Sequence, residues 1–119
     1  MARSPAIYPW RAMAAAFAIG GLVAVSGSLT VVAQSEIVVS QKGRMFHPNE
    51  LSISRGAAIL IVNDDADLLH HAYIDSNAFK FDSGDQEPGS KTKITFATAG
   101  TFDVLCAIHP KMKLTVRVN

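Results

Sequence analysis

A chain of 119 residues with 11 Lys and Arg against 10 Asp and Glu has room for one small domain and is too evenly charged to grip a polyanion. Nucleic acid would call for a basic patch or stripe, and the sequence offers none. The single cysteine, Cys106, excludes an intramolecular disulfide.

The first third stands apart from the rest. Met1 to Arg11 carries Arg3 and Arg11 without an acidic residue, and Ala12 to Val32 carries no charge. That is the basic, then apolar, pattern of a helical export signal. In "LTVVAQSE", Val31 and Ala33 are small residues at the spacing a signal peptidase reads, which places a cut after Ala33. Residues 1–33 are therefore expected to be a signal peptide and residues 34–119 the folded domain. The alternative is an uncleaved anchor, because a bilayer is crossed by about 20 apolar residues, and only then would the membrane be a partner. Either way the domain is expected outside the cytoplasmic membrane, in the periplasm. A lone thiol there is a liability unless it is buried, reactive or bound to a metal.

Past Gln34, short runs of β-branched and aromatic residues alternate with turn signals. In chain order they are Glu36 to Gln41, Glu50 to Ser54, Ala57 to Asn63, His71 to Asp75, Lys91 to Ala97, Thr101 to Cys106 and Lys113 to Val118. Seven such runs predict an all-β sandwich. "RG" at Arg55-Gly56, "DSGDQEPGS" at Asp82 to Ser90 and "AG" at Ala99-Gly100 supply the breaks. His47, before a proline in "RMFHPNE", is expected to be a solvated turn residue. Alternation sends Phe102, Val104 and Cys106 to one face, and Leu114, Val116 and Val118 likewise. The stretch "CAIHPKM" (Cys106 to Met112) thus forms the loop between two core strands, where binding groups belong.

A copper electron-transfer centre needs a thiolate, two imidazoles and a weak axial donor. Cys106, His109 and Met112, spaced C-x2-H-x2-M, can supply three of them. The second imidazole must come from another part of the chain. The pair His70-His71 opens a strand after the polar turn "NDDAD", so one of the two faces inward. Zinc also takes Cys and His ligands.

Three stretches together resemble the cupredoxins, the small blue copper proteins. "FHPNELSISRG", "IVNDDADLLHHAY" and "AGTFDVLCAIHPKM" are similar to the opening, first-histidine and closing motifs of the amicyanin and plastocyanin group. The "HHAY" pair also resembles a branch associated with methylamine utilisation. Leu69 and Ile108 stand where the family usually has proline, and no glycine follows Met112. The resemblance implies a Greek-key sandwich of seven to eight strands and one type 1 copper ion. Its ligands would be His70, Cys106, His109 and axial Met112, with His71 the alternative first histidine. The implied function is one-electron transfer by a monomer that meets its redox partner transiently, with no substrate and no enzymatic reaction. Copper delivery with the same ligands is the alternative. A thiol enzyme built on Cys106 would need a group to orient its base, and the sequence singles out none. Multicopper oxidases carry histidines on both sides of the cysteine, whereas Cys106 lies between Leu105 and Ala107; a binuclear purple centre needs two cysteines.

Overall fold

The computed structural model describes Gly20, Gly21, residues 26–31 and Ser35–Asn119. The expected signal segment lies mostly outside the described residues, as does the expected cut after Ala33. The chain divides into two units, Met1–Val32 and Ala33–Asn119, and the second holds every strand.

Among the described residues nine strands follow one another: β1 (Ile37–Lys42), β2 (Met45–His47), β3 (Glu50–Ile53), β4 (Ala58–Asn63), β5 (Ala72–Asp75), β6 (Lys80–Asp82), β7 (Lys91–Thr95), β8 (Gly100–Cys106) and β9 (Lys113–Val118). They form two sheets, ordered β2-β1-β4-β7 and β3-β9-β8-β5-β6. The chain crosses between sheets at β2–β3, β3–β4, β4–β5, β6–β7 and β7–β8, which are the connections of a Greek-key sandwich. These crossings bring β1 beside β4 and β3 beside β9 as parallel pairs.

The seven sequence-predicted runs all carry strands. The two additional strands, β2 and β6, have three residues each, and so short a segment shows too little alternation to stand out. In β2 only Phe46 points inward. His47 ends that strand, paired with Ser40, and is exposed ahead of a cis bond to Pro48.

Alternation fills the space between the sheets. Val39, Ile59, Ile61 and Ile94 from one sheet face Ile74, Val104, Leu114 and Val116 from the other, all almost completely buried. Each such side chain contributes about 1.5–3 kcal/mol on burial. At one end of the sandwich, Phe79 meets Phe96 and Phe102 edge-on, with ring centroids 5.5 and 5.6 Å apart.

β1 turns into β2 through two residues, Gly43 and Arg44, with φ of 61° and 60°. Two consecutive positive φ values are the mark of a type I′ hairpin, whose twist suits the flanking strands. Gly43 adopts this freely; Arg44 has a Cβ, and the left-handed conformation costs it roughly 1–2 kcal/mol.

Candidate metal centre

β8 delivers Cys106. Phe102, Val104 and Cys106 point inward along it, while Thr101 and Asp103 are exposed. β9 pairs with β8 antiparallel up to Leu105 opposite Lys113. One residue further along that register, Cys106 stands across from Met112. Both are buried, at 3% and 1% exposure. Met112 continues the inward phase of Leu114, Val116 and Val118, and its N–H donates to the His109 carbonyl at 3.0 Å. The sheet register thus brings the Met112 and Cys106 positions to the same end of the sandwich.

His70 comes from the connection between β4 and β5, just before the strand begins. Its backbone exchanges two hydrogen bonds with Gln86, at 3.1 and 2.7 Å. Its imidazole is completely buried. His71 points away, with Nε2 2.6 Å from Asp82 and Nδ1 3.4 Å from Asp85. Of the adjacent pair it is thus His70 that the fold turns toward the cysteine.

The ring nitrogens converge on sulfur. Nδ1 of His70 lies 3.9 Å from Cys106 Sγ and Nδ1 of His109 lies 3.6 Å from it, while the two imidazole centroids are 5.0 Å apart. The three side chains can each offer one ligand atom such that all lie within 4.8 Å of one another. Donors at 2.0–2.3 Å from a shared ion, spread at about 120°, would be separated by roughly 3.7 Å. The donor spacing thus fits a metal, and a thiolate with two imidazoles is the donor set that suits copper.

Asp65 fixes the buried imidazole. Its Oδ2 lies 2.7 Å from His70 Nε2, and its Oδ1 accepts from the Gly43 N–H at 3.0 Å. Burial pushes the Asp65 carboxyl up, but the Gly43 N–H, His70 and Lys42 outweigh it and hold the pKa below the usual aspartate value. An anionic Asp65 fixes which imidazole nitrogen is left for a ligand. In the sequence this residue is one member of the polar turn "NDDAD", with nothing to distinguish it from its neighbours. It is also a group that orients the imidazole of a thiol–imidazole pair, which the sequence alone does not single out.

A polar hub carries the loop. Asn63 is buried at the end of β4 and its Nδ2 donates to the carbonyls of Leu68 and Gln86 at 2.8 and 2.9 Å. Its Oδ1 accepts from the Asp65 N–H at 3.0 Å. Gln86 Oε1 accepts from Gln41 Nε2 and from the Ala72 N–H, and its Nε2 donates to Thr92 Oγ1. Gln86 comes from a stretch that reads only as turn residues, so nothing in the sequence marked it.

His109 is half-buried at the surface. Burial, then the charges of His70 and Arg44, hold its imidazole below the usual histidine pKa, while Asp65 pulls the other way. A neutral imidazole is the form that binds metal.

No protein-family model matches this chain, and no characterised protein matches it in sequence. Solved structures do match. A copper-containing nitrite reductase from Thermus scotoductus SA-01 superposes with a TM-score of 0.67 at 28% identity, over 74% of this chain and 23% of the reductase. The chain therefore spans about a quarter of that enzyme. An oxidised amicyanin variant gives 0.66 at 24% identity, over 76% of this chain and 88% of its own. A reduced Cu(I) amicyanin variant gives 0.66 at 25% identity, over 75% and 87%. Strand order, structural neighbours and donor chemistry agree: the chain has the cupredoxin fold, and its His70–Cys106–His109 cluster fits one type 1 copper ion.

Proposed function

We propose that the protein is a periplasmic one-electron carrier, with His70, Cys106 and His109 as its copper ligands and Met112 as the weak axial donor. The observation that carries this reading is the convergence of two imidazole Nδ1 atoms on one buried thiol, at 3.9 and 3.6 Å. Copper bound there supplies a Cu(I)/Cu(II) couple.

The protein's own residues supply rigidity and shielding. Asp65 and the Gln86 backbone fix His70 from two sides, so the donors have little freedom to rearrange between oxidation states. Cys106 is kept from water by the sandwich. Only His109 of the three reaches the surface, which makes its imidazole the route for an electron to a docked partner. A thiol nucleophile would need access for its substrate and one imidazole as base. Here the thiol is buried and two imidazoles face it. The carrier reading therefore includes no catalytic step and no small-molecule substrate.

Adding Cu(II) to the protein is expected to produce an intense blue band that Cys106→Ser abolishes and His71→Ala keeps. Copper bound only by the folded state also raises Tm in proportion to the logarithm of its concentration. A colourless protein that takes up no copper would sink the proposal. Copper retained through redox cycling supports a carrier; rapid loss of Cu(I) to a chelator would point instead to metal delivery. Mass spectrometry of the exported protein checks the periplasmic assignment, with Gln34 expected as the first residue.

A further inference from the structure

Arg44 combines two properties that local structure does not explain. It sits at the second position of the β1–β2 turn with φ of 60°, where glycine or asparagine would be at ease. Its side chain also has no carboxylate within 4.0 Å among the described residues, a freedom it shares with Lys42, Arg55, Lys91 and Lys93, so what sets it apart is the strained backbone and the place it occupies. A charged side chain held against its backbone preference, with no carboxylate partner among the described residues, points to a role at the surface it borders.

Its position says what. Arg44 borders a shallow, mostly apolar depression formed with Ile108, His109, Pro110, Lys111 and Met112. Ile108 is 43% exposed there. A second depression continues from Arg44 and Lys111 to Met45, itself 52% exposed, and Lys113. Lys111 and Lys113, like Arg44, have no carboxylate partner among the described residues. The chain is close to neutral as a whole, so this cationic rim is a local feature and not a consequence of net charge.

We propose that Arg44, with Lys111 and Lys113, selects a redox partner protein whose docking face is apolar at its centre and rimmed by carboxylates. The proposal rests on the electron-carrier reading of the site and names the partner class for it. The apolar centre around Ile108 and His109 brings the imidazole against the partner. The cations set register and raise the encounter rate, acting within the roughly 8 Å that physiological salt allows. One electron crosses, and no atom is transferred.

Electron exchange of the copper-loaded protein with two c-type cytochromes tests this, one with a carboxylate-rich haem edge and one with a lysine-rich edge. The carboxylate-rich cytochrome is expected to react faster, at a rate that falls as salt rises. Arg44→Gly should lower that rate about threefold at low salt, because a rim charge acts mainly on association, and should speed the lysine-rich cytochrome. The blue band should not move. Because glycine relieves the turn, Tm of the metal-free Arg44→Gly protein should rise by roughly 2–5 °C. A faster reaction with the lysine-rich cytochrome, an unchanged rate in Arg44→Gly, or an unchanged or lower Tm each overturns the assignment.

A metal-free arm separates this from failure of the copper reading. The paramagnetic anion hexacyanochromate(III) should broaden the amide resonances of Arg44, Ile108 and Lys111 in the apoprotein more than the cation tris(ethylenediamine)chromium(III) does. The reverse order, or broadening centred elsewhere, overturns the proposal whether or not copper binds.

Discussion

The two ends of β8 are built from different forces. At its start Phe102 meets Phe79 edge to face and Phe96 at a tilt, without a polar atom among the three rings. At its end, about 14 Å along the strand, Cys106 faces His70, which Asp65 and Gln86 hold and Asn63 supports through directional hydrogen bonds. Dispersion and hydrophobic burial favour the first end whatever the fine angles of the rings. Hydrogen bonds hold the second to one geometry, because a buried polar group left unpaired costs about 1–3 kcal/mol. One end thus stabilises the sandwich, and the other spends part of that stability on placing three donors.

If the division is real, the two ends should fail differently. The largest loss of stability is expected from Phe102→Ala, about 3–5 kcal/mol for an aromatic removed from a packed core. Urea unfolding would measure it, and the blue band should persist in the folded fraction; bleaching of folded protein would show that the ends are not separable. Asn63→Ala comes next. It strands the Leu68 carbonyl and the Asp65 N–H, while the Gln86 carbonyl keeps its bond from the His70 N–H, and should cost about 1–3 kcal/mol; unlike Phe102→Ala it should also weaken copper binding because the loop to His70 loses its anchor. Asp65→Asn should reduce copper affinity about 10–100-fold, as loss of a group supporting a ligand does, with little change in the apoprotein's urea midpoint. Competition with a chelator would read this directly.

The smallest effect lies at neither end. The Lys80 ammonium holds the Asp75 carboxyl below its usual pKa, and the Gly84 N–H followed by His71 does so for Asp82. Carboxyls depressed in the folded state contribute stability that is present above their unfolded pKa, near 3.9, and is lost as pH falls through the folded values. Both are exposed, so the loss should be slight. The apoprotein's Tm should decline a little below about pH 4, less in Asp82→Asn than in the parent.

This contrast also explains what could be read from the residues alone. Apolar alternation is written in the chain, so β8 and β9, their inward faces and the loop holding Cys106, His109 and Met112 were all visible. Alternation did not make the choice between His70 and His71, because neither lies within a strand; only the resemblance to the cupredoxin motif favoured His70, with His71 the alternative. A two-bond bridge to Gln86 decides it, and Gln86 lies in a turn-like stretch with no periodic signal. Asp65 was hidden for a similar reason. Its role depends on the chain folding back over five residues to meet His70, and in sequence it is one of several aspartates in "NDDAD". Three-residue strands such as β6 escape because they exist through their neighbours' open edges more than through their own pattern.

The junction between Met112 and β9 has one more consequence. Because no residue intervenes before Lys113, the thioether is geared to the strand's two-residue pitch. A glycine spliced in after Met112 would turn it outward by half a pitch and take it out of the buried interior. Residues 107–111 carry no such gearing. They form an exchangeable cassette between two fixed teeth, through which the surroundings of His109 could be rewritten while Cys106 and Met112 keep their buried places.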